Sequence, residues 1–185
     1  MISTSDERAE LARLLTQIAM RDAEAFADLY RRTSARLFGV ALRMLRDRGE
    51  AEEVLQEVFT GVWRRAEVFD PALAGAMTWL VTLTRNKAID RLRRRRDTTP
   101  EEAIDLDRLA DERPGPAAEA EASLDYRRLQ GCLDELDPKH RHSVRAAFFS
   151  GATYNELAQR CRVPLGTMKS WIRRALIQLR TCLES

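Results

Sequence analysis

Apolar side chains recur along this chain at intervals of three and four, the spacing that gathers them on one face of an α-helix. Leu11, Leu14, Leu15 and Ile18 form a first such stripe. Asp22 stands where it can cap a second helix, whose apolar face is Phe26, Leu29, Tyr30, Leu37, Val40, Ala41 and Met44. Residues 47–50 read as a turn. A third helix follows with Ala51, Val54, Leu55, Val58, Phe59, Val62 and Trp63 on one side. Asp70-Pro71 through Gly75 breaks the pattern. A fourth helix carries Trp79, Leu80, Leu83, Ala88, Ile89 and Leu92 and ends in Arg93-Arg94-Arg95-Arg96. No stretch alternates apolar and polar residues as a half-buried strand would, so the predicted class is all-α.

Residues 97–122 interrupt the helical pattern. They hold Pro100, Pro114, Gly115 and Pro116 and few large apolar groups, which predicts a flexible acidic linker, with Leu106 and Leu109 in at most a short helical turn. The periodicity resumes near Ser123. Leu124, Leu129, Leu133 and Leu136 lead to Asp137-Pro138, a cap followed by a good first helical residue. Val144, Ala147 and Phe148 continue that helix, and Gly151 closes it. The predicted organisation is a helical domain over 1–96, a linker over 97–122 and a second helical domain over 123–185.

The second domain holds the most specific pattern. Thr153-Tyr154-Asn155-Glu156 is a capping box, a threonine with glutamate three residues on. It opens a short helix with Leu157, Ala158 and Cys161 on one face. Val163-Pro164 interrupts, and a longer helix follows with Met168, Ile172, Leu176 and Leu179 inward. A short capped helix, a tight turn and a longer helix make a helix-turn-helix. Ala158 is small where the helices cross, and Arg162 stands where glycine commonly makes the turn. The outward face of the last helix is Thr167, Lys169, Ser170, Arg173 and Arg174. These are donors suited to phosphate oxygens and to the acceptor edge of guanine.

Charge sharpens this picture. The net charge of +2 is unremarkable, but it sums +4 over residues 1–96, −8 over 97–125 and +6 over 126–185. Five arginines fall within residues 91–96, more than a favourable helix dipole asks for, and they make an electrostatic footprint for a polyanion. With 44% apolar and 32% charged residues, the chain has a globular composition with a heavily charged surface. No apolar run is long enough to span a bilayer. Residues 1–10 are too polar and acidic for a signal or transit peptide. Cys132, Cys161 and Cys182 form no closely spaced pair and leave an odd thiol, which predicts a reducing, cytoplasmic setting.

The carboxylates and the two histidines form no nucleophile–base pattern, so no catalytic residue is assigned. His140 and His142 lie two apart on one helix and face different ways, and no ligand pair has zinc-like spacing. Neither a metal nor a cofactor is expected. A binding function that meets nucleic acid remains. A stand-alone transcriptional regulator with a helical sensor domain is one such reading, although a sensor domain has no need of the polar cluster Glu53, Gln56 and Glu57 on an otherwise amphipathic helix.

The same residues resemble the extracytoplasmic-function sigma factors of the sigma-70 family. Ala51-Glu52-Glu53-Val54-Leu55-Gln56-Glu57-Val58-Phe59 is similar to the region-two signature, with Glu53 where the family more often has aspartate. Thr78-Trp79-Leu80 and Asn86-Lys87-Ala88-Ile89-Asp90-Arg91-Leu92-Arg93 resemble the adjoining promoter-recognition helix. Tyr154-Asn155-Glu156-Leu157-Ala158 and Val163-Pro164-Leu165-Gly166-Thr167-Met168-Lys169-Ser170 resemble region four. Ser170-Trp171-Ile172-Arg173-Arg174 is similar to the SigK-like branch.

The resemblance implies that Glu53, Gln56 and Glu57 meet the clamp of the largest polymerase subunit. It implies that Asn86, Lys87, Asp90, Arg91 and Arg94 contact the −10 element, and that the loop from Phe69 to Met77 holds a flipped base. It implies further that Thr167, Lys169, Ser170, Arg173 and Arg174 contact the −35 element. Core polymerase (clamp and flap), promoter DNA and an anti-sigma protein are the implied partners, with no insertion into a membrane.

Overall fold

The computed structural model describes residues 4–98 and 124–184, with side chains described over 6–95 and 127–184. The predicted linker, including Leu106 and Leu109, lies almost wholly outside the described residues. The chain divides into two compact units, Met1–Thr99 and Pro100–Ser185. Every regular element among the described residues is helical.

The first unit comprises α1 (Thr4–Ala19), α2 (Ala23–Leu45), α3 (Arg48–Arg65), a 3₁₀ turn (Ala66–Val68) and α4 (Ala76–Thr98). α2 packs on all three other helices. Its start follows from Asp22, whose carboxylate accepts hydrogen bonds from the Glu24 and Ala25 amides at 2.9 and 3.0 Å. Its end is set by Arg46, which adopts the left-handed conformation (φ 56°) and donates its amide to the Leu42 carbonyl. The turn expected over residues 47–50 is thus tighter than the sequence suggests. Asp47 caps α3 by accepting from the Glu50 amide at 2.8 Å, so Gly49 and Glu50 are already helical.

The core of this unit is Leu11, Leu14, Leu15, Ile18, Leu29, Leu37, Met44, Val54, Val58, Val62, Leu80 and Leu92, all buried. The expected apolar face of α2 is too wide on one side. Tyr30 is exposed and Phe26 only half-buried, while Thr33 is buried with its hydroxyl donating to the Leu29 carbonyl at 2.7 Å. Position 33 continues the series 29, 33, 37, and a threonine there is tolerated because its one polar group bonds back into its own helix.

The second unit comprises α5 (Leu124–Asp134), α6 (Pro138–Phe149), α7 (Tyr154–Arg160) and α8 (Leu165–Glu184), with α8 packed against the other three. Asp137 accepts from the Lys139 amide at 2.9 Å, and Pro138 opens α6. Gly151 takes φ 66° after α6, the conformation for which glycine is suited. Two clusters fill this unit. One is Ala146, Ala152, Leu157, Ala158, Met168 and Ile172; the other is Cys132, Leu133, Leu136, Ala175 and Leu179.

Two expectations are corrected here. Leu176 is exposed, and Ala175 occupies the inward position, since the buried series runs 168, 172, 175, 179. Cys132 and Cys182 are joined in a disulfide that ties α5 to α8, leaving Cys161 as the free thiol. The two cysteines are 50 positions apart, so spacing along the chain could not reveal the pair that the packing of α5 on α8 brings together.

Candidate nucleic-acid interface

The helix-turn-helix is built by a short series of local bonds. The Thr153 hydroxyl accepts from the Glu156 amide at 3.2 Å, and the Glu156 carboxylate accepts from the Thr153 amide at 2.6 Å, completing the capping box. Arg162 takes φ 52°, the left-handed position where glycine is commonest, at a cost of about 1 kcal/mol. The Val163 amide then donates to the Ala158 carbonyl at 2.9 Å, closing the turn. Pro164 accepts from the Thr167 and Met168 amides and starts α8. Ala158, Met168 and Ile172 are buried between the two helices, which holds α8 at a fixed angle on α7.

That packing leaves Lys169, Ser170, Arg173 and Arg174 exposed on α8, with Thr167 half-buried at its start. The Ser170 hydroxyl donates to the Gly166 carbonyl at 2.9 Å. Lys169, Arg173 and Arg174 form no ion pair among the described residues. A row of cations without internal counter-charges, carried on a helix braced from behind, suits a groove lined by phosphates and base edges.

The first unit arranges its charges differently. The residues predicted to meet the −10 element separate into two stripes on α4. Asn86, Asp90 and Arg94 are exposed, and the Arg94 Nε donates to the Asp90 carbonyl at 3.3 Å. Lys87 and Arg91 turn instead toward α3. Lys87 Nζ donates to Glu57 at 3.1 Å, and Arg91 is hydrogen-bonded to Glu53 with Glu50 and Glu57 each 3.9 Å away. Arg95 adds a contact to Glu50 at 3.5 Å. The hydrogen bond to Glu53 holds the Arg91 guanidinium above its ordinary pKa, opposed by partial desolvation and helped by the other carboxylates. Exposed pairs of this kind contribute about 0.2–1 kcal/mol each, so the set ties α3 to α4 without dominating stability.

The predicted clamp cluster is likewise divided. Glu53 and Glu57 lie on the edge of α3 that meets α4. Gln56 lies on another side, in an open groove between α2 and α3 with Phe26, Tyr30, Leu55, Phe59 and Trp63. The rings pack edge-on or tilted: Phe26 is 5.3 Å from Trp63 and 6.0 Å from Phe59, and Tyr30 is 4.7 Å from Phe59. Arg21 stands over Trp63 at 5.9 Å. Sequence reasoning assigns these aromatics to the core. A signal for the groove is nonetheless present: 26 and 30 on α2, and 59 and 63 on α3, are aromatic positions offset by one step from the aliphatic stripe.

Between α3 and α4, Phe69 packs on Trp79 at 5.5 Å, and Asp70 accepts from the Ala72 amide at 2.8 Å. Leu73 at the tip of this turn is 84% exposed. Among the described residues, no group of histidine, cysteine or acidic side chains could hold a metal ion, and no helix is long and apolar enough to cross a membrane.

Comparison with known proteins matches both units. The family model for sigma-70 region 2 matches residues 29–98, and that for sigma-70 region 4 matches residues 132–181. An ECF RNA polymerase sigma factor SigK from Mycolicibacterium vanbaalenii is 40% identical over 179 residues, covering 95% of this chain and 90% of that protein. The protein of the same name from Mycobacterium bovis is 36% identical over 181 residues, covering 95% of each. Among solved structures, Rhodobacter sphaeroides SigE in complex with the anti-sigma ChrR is 34% identical with a TM-score of 0.49, covering 91% of this chain and 98% of that one. A region-two match over residues 29–98 occupies the place where a stand-alone regulator would need its sensor domain. The chain belongs to the sigma-70 family as an extracytoplasmic-function RNA polymerase sigma factor, with region two in its first unit and region four in its second.

Proposed function

We propose that this sigma factor works through four surfaces, two for core RNA polymerase and two for promoter DNA, and that residues 1–96, 97–122 and 123–185 are its working divisions. The observation that carries this reading is the braced α8, whose outward side chains Lys169, Ser170, Arg173 and Arg174 face solvent. α8 enters the major groove at the −35 element. Arg173 and Arg174 reach base edges, and Lys169 and Thr167 reach phosphates. At the −10 element, Asn86, Asp90 and Arg94 supply the exposed stripe of α4, with Lys87 and Arg91 beside it. The turn carrying Leu73 holds a base extruded from the duplex, at an unstacking cost of a few kcal/mol.

Core polymerase binds through α3. The aromatic groove around Gln56 takes an apolar segment of the clamp, while Glu53 and Glu57 meet the clamp from the other edge of α3, beside α4. The flap contact falls to the second unit, where Leu176 and Ile177 are exposed side by side on α8. Binding and positioning are the only roles assigned to the chain; polymerisation belongs to the core enzyme. The protein works in the cytoplasm, where polymerase and promoter are, and an anti-sigma protein holds it inactive by covering the groove near Gln56 and the α4 cations near Arg91.

Gel filtration of the whole chain with core polymerase tests the central contact. Gln56→Ala with Trp63→Ala is expected to weaken co-elution several-fold, with helical content checked by circular dichroism. Unchanged co-elution of a folded double variant contradicts the clamp assignment. A pull-down from cell extract, probed for an anti-sigma protein, checks the third partner.

A further inference from the structure

The carboxylates Glu50, Glu53 and Glu57 occupy positions i, i+3 and i+7 of α3, a spacing that lines them along one edge. Lys87, Arg91 and Arg95 occupy i, i+4 and i+8 of α4. The pairings run in antiparallel register: Glu50 with Arg95 and Arg91, Glu53 with Arg91, Glu57 with Arg91 and Lys87. Arg91 touches all three acids and is the least exposed of the three cations, at 23% against 41% for Lys87 and 48% for Arg95. The opposite arrangement holds on α8, whose cations Lys169, Arg173 and Arg174 meet no acid among the described residues.

We infer that this ladder is an intramolecular mask: in the free chain the α3 carboxylates neutralise the Lys87–Arg91–Arg95 stripe and withhold it from nucleic-acid phosphates. The inference rests on the proposal that α4 is a DNA-facing helix, and it departs from the simplest form of that proposal, in which Arg91 is a direct DNA contact. A cation already paired with a carboxylate releases no DNA counterion when it reaches a phosphate unless that pair is first broken. The mask therefore lowers both the affinity of the free chain for DNA of arbitrary sequence and its dependence on salt. Arg91, hydrogen-bonded to Glu53 and 3.9 Å from both Glu50 and Glu57, is the most fully masked cation of the stripe. The exposed stripe of Asn86, Asp90 and Arg94, one residue round the helix, is left outward, with the exposed Arg93 beside it.

The test uses the whole chain and a mixed-sequence duplex, with anisotropy measured across a salt series. Glu50→Gln, Glu53→Gln and Glu57→Gln together remove the acids with little change of shape. A control triple, Glu7→Gln, Glu24→Gln and Glu67→Gln, makes the same change of net charge at exposed positions outside the ladder. The ladder variant is expected to bind at least fivefold more tightly than the control at low salt. Its log–log salt slope should be steeper by about 2, since each phosphate newly neutralised on a duplex adds about 0.9. Arg91→Ala is expected to leave binding nearly unchanged in the natural chain and to weaken it clearly in the ladder variant, a coupling that a merely structural role would not produce. Equal affinity and slope for the ladder and control triples, while Arg93→Ala weakens both, would overturn the mask and leave α4 as a DNA-facing helix. No effect of Arg93→Ala in any background would remove α4 from the DNA interface and the mask with it.

Discussion

The first unit closes on leucine, isoleucine and valine from four helices, and the cations Lys87, Arg91 and Arg95 on its basic helix are met by its own acids. The second unit closes over a core in which Ala146, Ala152, Ala158 and Ala175 are prominent, is tied by Cys132–Cys182, and leaves Lys169, Arg173 and Arg174 of α8 to solvent. The difference separates two uses of charge. Arginines on α4 help hold one helix to the next, while arginines on α8 are held ready by apolar packing behind them. A stripe of basic residues in a sequence therefore stands open to solvent only where no acidic stripe of matching period folds against it.

The largest expected effect lies in the first core. Leu37 is fully buried, so Leu37→Ala should cost about 2–5 kcal/mol and raise amide exchange throughout α1–α4. A loss well under 1 kcal/mol by denaturant titration would mean that this core is not packed as described. The second unit depends more on its cross-link. Cys182→Ser, compared under non-reducing conditions, should cost about 2–4 kcal/mol by denaturant titration, with the faster exchange confined to α5–α8. No change would show that the alanine-rich clusters suffice alone.

Much of the fold is legible in the residue pattern alone. Asp22, Asp137 and the Thr153–Glu156 box mark helix starts, and each caps as expected, because capping is decided within four residues. Features decided by packing are less visible. Leu176 belongs to the apolar period by type, yet the smaller Ala175 faces inward because α8 lies close against α5 and α6. The disulfide requires that α5 and α8 be known as neighbours. The candidate site is legible as residue types and not as pairings: Gln56 and Glu57 are adjacent in sequence, but a helix turns them about 100° apart, one to the aromatic groove and the other to Lys87.

Smaller effects sharpen the DNA side of the comparison. Arg173→Ala or Arg174→Ala should each cost about 1–3 kcal/mol of discrimination at one base pair of the −35 element, measured by competition among promoter variants. Lys169→Ala should weaken all sequences alike and lower the salt slope by about one, as a phosphate contact does. If the arginine variants instead weaken every sequence equally, α8 binds DNA without reading it.

The most direct measurement is promoter-directed initiation in a purified system. Core RNA polymerase, the whole chain and a promoter library drawn from the same cells would be assayed for transcript starts. The chain is expected to confer starts at a defined subset of promoters sharing −35 and −10 elements, with Arg173→Ala and Arg174→Ala broadening the accepted −35 sequence. Starts identical to those of core polymerase alone would contradict the account at its centre.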